Sequence, residues 1–161
     1  MLGVGIYLVD VGAESWAEGG YAPLLDRALA ERGLPPYPGP PPKTGDFEEK
    51  IVPSMDDFAE LCERHGAADL LDASLIVPVD FAGLIEIPVE TAYDDVTKVF
   101  SAQRLRAAVA PMAAEVGLPP GLPSGPLALT TAIDDPLLFY VALFSQAAGH
   151  SLRHACPLTY V

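Results

Sequence analysis

Val4 to Val11 form an almost unbroken apolar run rich in β-branched and aromatic residues. Such a run predicts a central strand covered on both faces. From Tyr21 the period changes: Tyr21, Leu24, Leu25, Ala28 and Leu29 recur at helical spacing, with Asp26, Arg27 and Glu31 on the other side. Gly33 is placed to end this helix in a left-handed conformation, Leu34 to make the accompanying apolar contact, and Pro35 to bar continuation.

The same logic predicts three further helices. Ser54-Met-Asp-Asp57 reads as an entrance, with a hydroxyl cap and an acid three positions on; Met55, Phe58, Leu61, Cys62 and His65 form the inward stripe and Gly66 the end. Residues 67–72 add one more turn. Ser101 caps a helix whose inward residues are Leu105, Ala108, Val109, Met112 and Val116, ending at Gly117, with a kink or restart expected at Pro111. Asp134-Asp135-Pro136 supplies cap and first-turn proline for a helix from Leu137 to Ala148 that is apolar nearly all round. In a water-soluble chain such a helix is enclosed by other elements, so it should form the centre of the core.

Leu75 to Asp80 and Leu84 to Val89 are short β-rich runs, and Phe81-Ala-Gly83 between them suits a three-residue hairpin loop. With Asp80 opposite Leu84, Pro78 faces Glu86 and Ile76 faces Pro88, so both prolines would blunt the hairpin against edge pairing. Leu127, Leu129, Thr131 and Ile133 alternate as a strand, and Pro157 to Val161 return as a last one. The order of elements is neither a regular βαβ alternation nor all-helical, which predicts an α+β fold: one compact domain, a mixed sheet with a β-hairpin and a central, buried C-terminal helix.

Composition refines this outline. At 161 residues, half of them apolar, the chain has the length of one ordinary domain and can bury a core without disulfide or metal staples. Its 17 prolines are about twice the usual share, and they concentrate in two connectors, residues 35–42 and 119–126, that neither helix nor central strand can occupy. The N-terminal apolar run lacks a preceding basic residue and stops at Asp10, and Pro136 to Leu152 is interrupted by Ser145, Gln146 and His150. Neither reads as a targeting or membrane-spanning segment, so a cytoplasmic, soluble protein with Cys62 and Cys156 reduced is expected.

Charge is the strongest compositional signal. Residues 1–100 carry 19 acids and 6 bases, whereas residues 101–161 carry 3 of each, so the whole net charge of -13 lies in the first part. Such a field repels nucleic-acid phosphates and anionic membrane surfaces and complements a basic protein partner. Solubility alone is the bland alternative.

Motifs narrow the chemistry further. Gly3-Val-Gly5 precedes its strand core and has Leu8 where a dinucleotide fingerprint needs a third glycine; Walker A, nucleophile-elbow and HExxH patterns are absent. Cys62-x-x-His65 and His150-x-x-x-His154-x-Cys156 contain metal-binding residue types, but two compact ligand pairs of conventional spacing are missing. Neither metal nor cofactor is therefore expected. Cys156 with His150 or His154 is a nucleophile reading without a local signature. Among the paired acids, Asp56-Asp57 and Asp134-Asp135 stand at helix entrances, where capping explains them. Asp94-Asp95 has no such role. With Glu86, Glu90 and Tyr93 it makes an acidic stretch containing an aromatic, in which Glu86 and Glu90 would point the same way along a strand.

Pro38 to Lys43 matches a proline-rich ligand pattern but also an ordinary stiff loop. Trp16, in the turn after the first strand, is either an interface anchor or a core lid. Together these features favour a non-enzymatic, acidic interaction domain that docks a basic protein, inhibition or masking being one outcome of docking, through Glu86, Glu90, Tyr93, Asp94 and Asp95. The alternative is a small hydrolase-like enzyme in which the same carboxylates line a pocket.

Overall fold

A computed structural model describes residues 6–42, 46–91, 94–122 and 128–161. In chain order the elements are β1 (Ile6–Asp10), α1 (Ala13–Glu18), α2 (Tyr21–Glu31), β2 (Glu48–Ile51), α3 (Asp56–Arg64), α4 (Asp69–Asp72), β3 (Leu75–Val77), β4 (Ile85–Ile87), β5 (Thr97–Ser101), α5 (Ala102–Val116), α6 (Ala128–Ala132), α7 (Pro136–His154) and β6 (Leu158–Tyr160). The strands form one six-stranded sheet in the order β2-β1-β6-β3-β5-β4. Only β3 and β5 run parallel; every other neighbouring pair is antiparallel. The fold is α+β, as the element order predicts.

Side-chain alternation divides the sheet into two buried faces. Leu8, Ile76, Phe100 and Leu158 belong to one core, together with residues of α3, α5, α6 and α7; Leu75, Val77, Ile85, Ile87 and Val99 belong to the other, with Trp16 of α1 and Leu25 and Leu29 of α2. Helix α7 explains its own composition. Phe139 to Phe144 are six consecutive buried residues, so all sides of that segment are enclosed, and Phe144 stacks on Phe58 of α3 with ring centroids 5.3 Å apart. The helix extends beyond Ala148 to His154.

The helix boundaries follow the local signals closely. At the end of α2 the Gly33 N–H donates to the Ala30 carbonyl and the Leu34 N–H to that of Leu29, each at 2.9 Å, with Gly33 at φ 74°. This double closure needs the left-handed glycine. The Ser101 hydroxyl accepts from the Arg104 N–H, and the Asp135 carboxylate from that of Leu137. Ser54 also accepts from the Asp56 N–H, one residue earlier than a standard cap because Met55 takes the boundary position. Helix α5 continues across Pro111 instead of restarting there. Pro111 and Ala107 are both exposed, so solvent can reach the carbonyl that proline leaves without its usual donor.

Four expectations need correction. First, β3 and β4 are not hairpin partners: β5 lies between them, and the register predicted for Pro78, Glu86, Ile76 and Pro88 does not occur. The consecutive antiparallel pair is β4–β5. Gly83 has the expected left-handed φ of 69°, but it serves a crossing of roughly 10 Å over one intervening strand. Pro78 and Pro88 each stand immediately after a strand end, where the missing N–H ends pairing. Second, Leu129 to Ile133 are helical over most of their length: α6 forms a short turn that buries Leu129, and the Ile133 N–H donates to the Leu129 carbonyl at 3.0 Å. Four alternating positions are too few to separate the two periods.

Third, β1 lies inside the sheet, but only Leu8 of its residues is fully buried, and Ile6 is 41% exposed. Val4 and Gly5 fall outside the described residues. Fourth, Trp16 sits in helix α1, not in a turn. Among the described residues, no helix is long and apolar enough to cross a membrane.

Candidate functional site

The acidic stretch singled out in the sequence surrounds the β4–β5 connection. Glu86 lies on the outer strand β4, exposed and in register with Lys98 of β5. Glu90, Asp94 and Asp95 are exposed in the connection; Tyr93 lies outside the described residues. Because β4 ends at Ile87, Glu90 is not on the strand, and the expected common direction of Glu86 and Glu90 fails. The connection is tied locally. Thr91 and Asp94 exchange backbone and side-chain hydrogen bonds, the Asp95 N–H donates to Asp94 Oδ1 at 2.7 Å, and the Thr97 hydroxyl donates to the Val89 carbonyl at 2.8 Å.

This connection borders an apolar groove of about 320 Å³. Ile6, Ile51, Leu71, Phe144 and Tyr160 contribute its apolar lining, and Asp72, Asp94 and Lys98 its charged groups. The groove lies where β1 and β5 begin and β2 and β6 end. That end also carries the exposed large hydrophobic residues of the described chain: Ile6, Val52 immediately after β2, and Val161, whose backbone exchanges two hydrogen bonds with Tyr7. Sequence reading found Asp94 but missed the groove, because its lining comes from six separate stretches of chain.

A second constellation joins distant residues. His150 Nε2 and Asp10 Oδ2 are 3.0 Å apart, and the donor atoms of Asp10, His150 and Cys156 all lie within 4.8 Å of one another. Burial holds the His150 imidazole below its ordinary pKa, against the opposing effect of the Asp10 hydrogen bond and charge. The Cys156 thiol is pushed up to about 12, first by burial and then by the Asp10 charge. It is fully buried and protonated at neutral pH, which argues against a nucleophile in this geometry.

The remaining candidates have structural roles. Cys62 is buried on α3 with its thiol pushed up to about 11 by burial, and His65 meets Glu115 at 3.0 Å, so this pair does not join His150 and Cys156. Asp135 caps α7, and Asp56 and Asp57 occupy the first turn of α3. Trp16 is 5% exposed, stacks on Tyr21 and meets Tyr37 edge-on, the arrangement of a core lid. The first proline connector packs onto it. Tyr37 and Pro40 are buried, and Gly39 approaches the indole so closely that an added Cβ would lie 3.2 Å from it. No protein-family model, curated protein or solved structure matches this chain.

Proposed function

We propose that this chain is an acidic interaction domain of the cytoplasm that docks a basic protein partner at the sheet end bearing the groove. The observation that carries this reading is the juxtaposition of an apolar groove, the exposed Ile6, Val52 and Val161, and the carboxylates around the β4–β5 connection. Apolar surface at an interface centre supplies residence time, and surrounding charge supplies the rate of encounter. The partner is therefore a protein whose contact face presents an aliphatic or aromatic side chain ringed by lysine or arginine.

The enzyme alternative requires the carboxylates to converge in a pocket. Of these four only Asp94 lines the groove, where Asp72 is the second carboxylate and Lys98 the base; Glu86, Glu90 and Asp95 are exposed and outside its lining. An open acidic face suits docking better than acid–base chemistry. Nucleic acid and anionic membrane surfaces are disfavoured by the net charge of -13.

The test compares two charge reversals of equal size on a partner captured from the source cell. Converting Glu86, Glu90, Asp94 and Asp95 to lysine should lower the association rate by about an order of magnitude or more. Converting the exposed Glu31, Asp56, Glu60 and Glu63 should have a smaller effect. Indistinguishable association kinetics for the two variants would assign the acids to solubility and reject the docking face.

A further inference from the structure

We propose that Asp10, His150 and Cys156 form a zinc-binding site. Asp10 closes β1, His150 lies near the end of α7, and Cys156 stands between α7 and β6. Carboxylate, imidazole and thiolate are the donor types zinc accepts. Around a tetrahedral ion with ligands at about 2.0–2.3 Å, neighbouring donors stand roughly 3.3–3.8 Å apart. The 3.0 Å separation of Asp10 and His150 and the 4.8 Å limit for the whole group bracket that spacing. Small side-chain adjustments therefore suffice to admit the ion.

The surrounding backbone holds this arrangement from several directions. The Val11 N–H donates to the Pro157 carbonyl at 2.8 Å, which locks the ends of β1 and β6 together beside Asp10 and Cys156. The Ser151 hydroxyl donates to the Cys156 carbonyl at 2.7 Å. Between the helix and Cys156, Ala155 has φ 52°, the one non-glycine residue at positive φ among those described. The Tyr37 hydroxyl clamps that residue by donating to its carbonyl at 2.7 Å. This left-handed residue closes α7, with the Cys156 N–H donating back to the Ser151 carbonyl at 3.2 Å, and so fixes where Cys156 follows the helix.

Access favours a cation. His150 also lines a cavity of about 240 Å³ whose walls carry Asp46, Glu48 and Glu49 against one base, Arg153. Of the three ligands only His150 lines this cavity, so a fourth, water ligand of the proposed site enters on the His150 side, the arrangement of an open zinc site. On binding, the ion replaces the Cys156 thiol proton, which leaves to solvent. The lack of compact ligand pairs in the sequence does not bear on this site, because Asp10 and His150 are 140 residues apart.

The full chain, treated with a mild chelator, incubated with excess zinc and desalted, should retain one zinc per chain by elemental analysis. Cobalt(II) should give a sulfur-to-metal charge-transfer band and the visible bands of a tetrahedral ion. Asp10→Asn and Cys156→Ser should each weaken zinc binding by more than about tenfold, whereas Cys62→Ser should leave it unchanged. Should Cys156→Ser fail to fold, Cys62→Ser decides the matter, because Cys156 is then the only thiol in the chain and the charge-transfer band must persist. Absence of retained zinc with a featureless cobalt spectrum would overturn the proposal. So would a band lost with Cys62, or unchanged affinity in folded Asp10→Asn. None of these results bears on the acidic docking face.

Discussion

His150 and Asp10, separated by 140 positions in the chain, meet with Nε2 and Oδ2 3.0 Å apart, joining the C-terminal helix α7 to the end of the first strand β1. The side chains are only 7% and 15% exposed. Each polar group thus answers the other where little water reaches, which is how a buried polar pair is tolerated in an interior.

The enclosure of α7 sets the cost of truncating its side chains. Phe139→Ala and Phe144→Ala should each destabilise the protein by about 3–5 kcal/mol, because both rings are fully buried. Leu138→Ala and Leu34→Ala should cost less, since both side chains are half-buried. Urea unfolding at constant slope measures the differences, and near-parental midpoints for both phenylalanine variants would place α7 at the periphery.

The two side-chain caps have separable energies. Ser101→Ala removes the acceptor for the Arg104 N–H and Asp135→Ala the acceptor for the Leu137 N–H. Each should cost about 0.5–2 kcal/mol in unfolding free energy. Their double variant should show a nearly additive loss, because the caps serve different helices.

Glu115 ties α5 to α3, accepting from Arg64 Nη1 at 2.9 Å and from His65 Nε2 at 3.0 Å. The Arg64 hydrogen bond first, and that of His65 second, holds its carboxyl below the ordinary value near 4.5. A lowered carboxyl pKa stabilises the folded state above its ordinary value, and the contribution disappears as pH falls through the folded value. Glu115→Gln should therefore lower the melting temperature slightly at pH 7 and flatten its decline below about pH 4.5. Parallel melting-temperature profiles for the two proteins would exclude this contribution.

Neither cysteine should react readily with a thiol reagent in the metal-free native protein near neutral pH. Both side chains are fully buried, with the Cys62 and Cys156 thiols pushed up to about 11 and 12. After denaturation two thiols per chain should titrate. Rapid native labelling of Cys62, located by peptide mapping, would mean that α3 opens far more often than its packing implies.

The groove and the acidic rim should affect different kinetic constants of the proposed complex. Ile6→Ser and Val161→Ser alter exposed apolar contacts, so they should shorten residence of the proposed basic partner with little effect on encounter. Added salt should do the reverse, slowing association while leaving dissociation nearly unchanged. A surface-binding measurement at two ionic strengths distinguishes these effects, and equal salt sensitivity of both rate constants would contradict the division of labour.

Helix ends were legible in the sequence because their chemistry lies within a few residues. Gly33, Gly66 and Gly117 adopt the left-handed conformations their positions predict, and Ser101 and Asp135 accept the expected N–H groups. The unbroken apolar character of residues 137–144 likewise implied enclosure on every side. Strand partners were not legible in this way. β5 separates β3 from β4 because pairing responds to the burial of whole faces, and Val99 and Phe100 pack into opposite cores that no local pattern connects. The candidate sites divide along the same line: Glu86, Glu90, Asp94 and Asp95 stood out as a run of nearby charge, while the groove beside Asp94 required several separate segments to converge. Asp10 looked like the polar end of an apolar strand. Its meeting with His150 and Cys156 was decided by the tertiary structure, because the forces that bring them together are the packing of α7 and the pairing of β6 with β1, neither of which acts along the chain near Asp10.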